Sequence, residues 1–224
     1  MNAYSYSQLA QGLSYIGMYD SAEVIMKRGV EVDPNSTNGH LILANIFIEQ
    51  QIEDKAVEMM DQILAIDSAN IYKLNNAANS LQLDSSISRR FLSMVSNLES
   101  SFGKEDWMAC SIQGYLIRDA DSAQVWIDEG IQHYESVLNE GRLGLGQDTE
   151  LLALYSLDNQ LEKAISLLIT MFEKRGFLQS VKLRNDPRFS NLRKDPTIDS
   201  IIQVMDKSRE EMRMMISSMT PPLK

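Results

Sequence analysis

The sequence is poor in the residues that build crosslinked or metal-held frameworks. Its 224 residues include one cysteine, Cys110, and two histidines, His40 and His133. One thiol cannot close an internal disulfide, and so few soft ligands cannot assemble a Cys- or His-rich metal cluster. No metal and no cofactor is expected. No apolar run approaches the roughly 18 residues that a membrane span needs, and no charged-then-apolar leader precedes residue 20. The stretch therefore reads as soluble. Basic residues are also in deficit: 21 Lys and Arg face 31 Asp and Glu, a net charge of −10. Phosphate contacts need clustered cations, so this balance argues against nucleic acid as a partner of the chain. What is present is 44% hydrophobic residues, enough to fill a core without crosslinks.

The sequence matches itself at a fixed offset of 34 residues. Leu9-Ala10 falls on Leu43-Ala44, Ala22 on Ala56, Met26 on Met60 and Asp33 on Asp67. Leu13 falls on Phe47 and Val30 on Leu64. Within one copy, Tyr6, Leu9, Leu13 and Ile16 make a helical stripe that Gly17 can end in a left-handed conformation. Ala22, Met26, Gly29 and Val30 make a second stripe, which Asp33-Pro34 stops. A lone helical hairpin cannot bury its apolar face, so copies of it must stack.

Tyr6, Leu9-Ala10, Gly17, Tyr19, Ala22, Met26 and Pro34 together resemble the tetratricopeptide repeat (TPR) pattern. The second copy keeps Leu43, Ala44, Phe47, Ala56 and Met60, with His40, Gln51 and Ser68 where an aromatic, Gly and Pro are usual. A third unit over residues 69–101 carries Leu74, Ala77, Ala78 and Leu81, then Ile87, Phe91, Val95 and Leu98. It lacks the expected Ala. Trp107 opens a fourth, followed by Tyr115, Ala123, Ile127 and Ile131. A fifth has Leu151, Leu152, Tyr155, Ala164, Leu168 and Phe172, with Asn159 as a left-handed turn residue. The resemblance implies an all-α, TPR-like α-solenoid, a right-handed superhelix of helical hairpins with a C-terminal helical cap. About five units (3–36, 37–68, 69–101, 104–140 and 147–176) make an array over residues 1–180, and 181–224 supply the cap. In that cap, Asp186-Pro187 and Asp195-Pro196 each read as an N-cap followed by Pro at the first helical position. A two-turn helix with Phe189 and Leu192 should precede a longer one carrying Ile198, Ile201, Ile202, Met205, Met212, Ile216 and Met219.

The phrase from Leu183 to Pro196, LRNDPRFSNLRKDP, is similar to one that closes many bacterial TPR regions. It resembles the ends of CadC-like membrane-anchored transcriptional regulators, class III adenylate cyclases and Ser/Thr kinases. The regulator resemblance implies a DNA-binding domain and a membrane span elsewhere, with this portion periplasmic. A cyclase or kinase parent would make it a cytoplasmic regulatory domain, and a stand-alone adaptor is the third possibility. Repeat residues begin by Tyr6 with almost no polar element before them, as expected of an array cut from a larger protein.

No catalytic set emerges, and an enzyme acting through this chain alone is not expected. Cys110 lacks a base other than His133, in a different predicted helix, and occupies a place equivalent to the core positions Leu9 and Leu43. The Gly141–Gly146 loop lacks the Lys-Ser/Thr ending of a phosphate loop and reads as a connector. Glu53-Asp54 and Glu210-Glu211 read as solvated charge. Seven basic residues between Lys174 and Lys194 stand against Asp186 alone, and read as a solvated basic face. In TPR stacks the first helix of each unit lines the concave face. The resemblance therefore places a groove for a protein or peptide ligand at Tyr4, Ser7, Gln11 and Tyr15, then Asn38, Leu41, Asn45 and Glu49, then Tyr72, Asn75, Asn79 and Gln82. Amides there suit the backbone of an extended peptide, and polar solvated helix positions are the plainer alternative. Ser7, Gln11 and Asn75 stand where the family's clamp for chaperone tails has Lys, Asn and Lys, so that partner is discounted. The Met-rich last helix either covers the open end of the last repeat or pairs with a second copy as a homodimer.

Overall fold

The computed structural model describes residues 2–67, 121–141, 144–176 and 179–219. The expected third unit and the start of the fourth, Cys110 included, lie outside the described residues. Two compact units divide the chain: residues 1–98 with 206–224, and residues 99–205. Among the described residues all regular structure is helical. None of their helices is long and apolar enough to cross a membrane.

In the first unit, α1 (Ala3–Tyr15) and α2 (Tyr19–Val32) form one hairpin; α3 (Thr37–Glu49) and α4 (Glu53–Ile66) form the next. Asn2 caps α1, its side chain accepting from the Ser5 N–H at 2.9 Å; Ser36 caps α3 through Gly39 N–H at 3.2 Å. Ala22 and Met26 are fully buried, and so are their counterparts Ala56 and Met60. The small residues let paired helices close up, and each buried Met contributes roughly 1.5–3 kcal/mol of apolar burial. Gly29 shows how tight the contact is: a Cβ there would stand 2.9 Å from Tyr6 Cβ. α3 packs on both α1 and α2, and eight of its 13 residues are buried. That is the stacking a single hairpin requires.

The second unit contains α5 (Asp121–Asn139), α6 (Leu145–Leu157), α7 (Leu161–Arg175) and α8 (Ser180–Asn185). Its core gathers Ala123, Ile127, Ile131, Leu151, Leu152, Tyr155, Ala164 and Leu168. The expected two-turn helix around Phe189 is instead a pair of single 3₁₀ turns, Pro187–Phe189 and Leu192–Lys194. Side chains take the backbone groups that an α-helix would use. Asp186 accepts the Arg188 N–H at 3.0 Å, and Arg193 Nη1 donates to the Leu183 and Asp186 carbonyls at 3.0 and 2.7 Å. α9 (Pro196–Met219) then follows its Pro at the first position. Its Ile198, Ile202 and Met205 are buried in the second unit, while residues 206–219 belong to the first.

One turn design recurs in both units. After α1, Gly17 N–H donates to Ser14 O at 2.8 Å and Met18 N–H to Leu13 O at 2.8 Å. After α3 the pairs are Gln51 to Ile48 and Ile52 to Phe47, at 2.9 and 2.8 Å. After α6 they are Asn159 to Ser156 and Gln160 to Tyr155, at 3.3 and 2.8 Å. The left-handed residues are Gly17, Gln51 and Asn159, with φ of 82°, 61° and 58°. Each is a Schellman motif that satisfies the last carbonyls of one helix and launches the next. The fold is all-α and TPR-like, hairpins of one design with a C-terminal helical cap.

Candidate protein-binding surface

On α1 and α3 the proposed groove positions fall at helical spacing along equivalent faces of neighbouring helices. Tyr4 is 71% exposed, and Gln11 and Asn38 are exposed too. Tyr15, Asn45 and Glu49 are half-buried. Ser7 and Leu41 are buried and present no free surface. Tyr72, Asn75, Asn79 and Gln82 lie outside the described residues.

Two of these side chains carry unusual polar chemistry. The Oδ1 of Asn45 is buried and accepts no hydrogen bond. Such an acceptor costs roughly 1–3 kcal/mol relative to a satisfied one. Glu49 Oε2 accepts from the Tyr19 hydroxyl at 3.2 Å, and the Tyr19 hydroxyl oxygen in turn accepts from Arg209 Nη2 at 2.8 Å. Burial foremost, with the Glu49 carboxylate next, raises the pKa of Tyr19, against the pull of Arg209.

The corresponding face of the second unit is filled. Superimposing the left-handed turn residues places Ala153 at Gln11 and Asn45, and Thr149 at Ser7 and Leu41. Every residue from Asp148 to Ser156 is buried. Arg188, wholly buried, reaches Glu150 Oε2 through Nη1 at 2.8 Å and Asp186 Oδ2 through Nη2 at 2.6 Å. Burial alone would lower the Arg188 pKa, but the two carboxylates outweigh it and raise it. Leu192 N–H donates to Ser156 Oγ at 3.3 Å and Asn191 Nδ2 to Ser156 O at 3.0 Å. The expected basic face is thereby corrected: Arg188 is inside and Arg193 is half-buried against backbone carbonyls, so the run from Lys174 is no uniform cationic surface.

Elsewhere in the second unit, a cleft of about 400 Å³ opens along α5, lined by Asp128, Gln132, Glu135 and Asn139 among others. Glu135 accepts from Tyr155 Oη at 2.8 Å and Lys163 Nζ at 2.9 Å. Among the described residues no group of three or more His, Cys, Asp or Glu could hold a metal. His133 is half-buried, and burial lowers its pKa. Gly144 caps α6 directly, its N–H donating to Gln147 Oε1 at 3.0 Å, so that part of the glycine-rich loop starts a helix.

The sequence reading passed over Arg209 and Glu150. Arg209 did carry a signal, as the one charged residue in a stripe of otherwise apolar 4–3 spacing: Ile198, Ile202, Met205, Arg209, Met212, Ile216, Met219. Glu150 had none, since its partner lies 38 residues away.

No family model matches the chain. It is 35% identical over 72 residues to the type IV pilus assembly protein PilF of Pseudomonas aeruginosa, covering 32% of this chain and 29% of that one. The chain thus matches less than a third of the relative's length. A solved structure of Pseudomonas aeruginosa PilF aligns over 97% of this chain and 93% of its own, with TM-score 0.45 and 20% identity.

Proposed function

We propose that the chain is a non-catalytic module that holds an extended protein segment against α1 and α3. Tyr4, Gln11, Tyr15, Asn38, Asn45 and Glu49 contact it, Ser7 and Leu41 form the floor, and Tyr72, Asn75, Asn79 and Gln82 continue the row. The observation that carries this reading is the row of accessible polar and aromatic side chains along α1 and α3, Tyr4, Gln11 and Asn38, with the half-buried amide of Asn45 beside them. The exposed Tyr4 adds apolar contact at low entropic cost.

As for setting, the matched relative is named for type IV pilus assembly, which favours a scaffold for building a multiprotein machine. The regulator, cyclase and kinase settings rest on the LRNDPRFSNLRKDP phrase. Within that phrase Arg188 pairs with Asp186, and it reaches Glu150 outside the phrase.

Panning a displayed peptide library on the wild-type chain tests the groove. Selected peptides should bind Asn45→Ala roughly 10-fold more weakly, the cost of about one hydrogen bond, with an unchanged melting temperature. If none of the selected peptides responds to Asn45, the groove reading is wrong.

A further inference from the structure

The second half of α9 is held in the first unit in an unusual way. Met212, Met214, Met215 and Met219 are 38–76% exposed, and Arg209 is the one buried residue of 206–219. The guanidinium of Arg209 rests on the turn between α1 and α2. A Cβ on Gly17 would stand 2.8 Å from Arg209 Nη2 and 3.6 Å from Arg213 Nη1. Gly17 is favoured for its left-handed φ, and its bare Cα leaves room for the guanidinium at this distance. Arg209 Nη2 also donates to Tyr19 Oη at 2.8 Å, and Tyr19 passes the contact on to Glu49 at 3.2 Å.

Only the first of the three described Schellman turns has this chemistry. Where it offers Gly17 and Tyr19, the second has Gln51 and Glu53, and the third Asn159 and Leu161. Residues 51 and 159 carry side chains where Gly17 has none, and Glu53 and Leu161 offer no hydroxyl where Tyr19 does. The surrounding charge is complementary: residues 2–67 hold ten acidic side chains against Lys27, Arg28 and Lys55.

We infer that the α1–α2 turn is an exchangeable docking site for a helix presenting arginines one turn apart, and that residues 206–219 are its resident occupant. A partner's arginine-bearing helix would displace them. Because the methionines of this segment face solvent, release exposes little new apolar surface. The site is separate from the groove centred on Asn45, touching it at Glu49.

The test uses full-length chains and a labelled synthetic peptide of residues 204–219. Arg209→Gln should vacate the site, so the peptide binds this variant at least roughly 10-fold more tightly than wild type, the factor expected for a charged hydrogen bond. Adding Tyr19→Phe, which keeps the ring, should abolish that gain, whereas adding Asn45→Ala should leave it intact. By hydrogen exchange, residues 207–219 should lose protection in Arg209→Gln while residues 197–205 keep theirs, which also verifies that the variant is folded. Equal peptide binding by wild type and Arg209→Gln, binding indifferent to Tyr19, or unchanged exchange of 207–219 would each overturn the inference.

Discussion

The same hairpin is put to opposite uses in the two units. On α1 and α3 the face bearing Gln11, Asn38 and Asn45 keeps Gln11 and Asn38 at the surface and leaves the buried Oδ1 of Asn45 unpaired. On α6 the equivalent face has Thr149 and Ala153, and the cap fills it with Arg188, Asn191 and Leu192. An amide costs little where a ligand can reach it, whereas beneath a cap each polar atom needs a partner. Composition at two positions per hairpin thus separates a face kept for a partner from one kept for the chain itself.

The sharpest way to break the contrast is Arg188→Ala. It strands Asp186 and Glu150 in the interior and should destabilise the second unit by about 3–5 kcal/mol. Trp126 stands on α5 of that unit, so its fluorescence, followed in a Trp107→Phe background, reports on the unit in urea while circular dichroism follows the whole chain. The fluorescence transition should move to lower urea, ahead of part of the dichroism. Coincident transitions, both at the wild-type midpoint, would mean that the triad holds nothing.

A smaller change tests the shared turn. Gln51 adopts a left-handed φ of 61° that an unbranched L side chain tolerates poorly. Gln51→Gly should therefore stabilise the first unit by roughly 0.5–1 kcal/mol, net of the added unfolded-state entropy. Asn159→Gly should gain less, because Asn already visits this region with little strain. Thermal melts giving the reverse order would show that the two turns are not equivalent.

The hairpins were legible because the 34-residue offset repeats core residues and turn residues together. Ala22 and Ala56, or Met26 and Met60, needed only local spacing to be matched. Gln51 hid its turn under an uncommon residue but kept the register. What could not be read was any pairing across long separations. Glu150 with Arg188 and Tyr19 with Arg209 depend on where whole helices are brought, and the local sequence does not encode that. Charge counting likewise treated Arg188 as surface, since a buried cation looks no different from a solvated one until its two carboxylates are found. The 3₁₀ turns were misread for a related reason: Asp-Pro announces a helix start, but Arg193 taking the Leu183 and Asp186 carbonyls limits how far it runs.

The weakest expected effect concerns Glu135, on α5 of the second unit. The hydrogen bond from Lys163, with a further one from Tyr155, holds its carboxyl below the usual carboxylate range, although partial burial opposes this. A folded-state pKa lower than the unfolded value of about 4.3 means the ion pair's contribution is complete above that value. It is lost as pH falls through the lower folded pKa. With Glu135 and Lys163 side chains 35% and 54% exposed, solvent screening limits the contribution to about 0.5 kcal/mol. Glu135→Gln should therefore be slightly less stable than wild type at pH 7, with the gap closing toward pH 3. It should also shrink in 1 M salt, roughly a 3 Å screening length. A gap that instead widens on acidification would mean that the folded state favours the neutral carboxyl of Glu135 over its ion pair with Lys163.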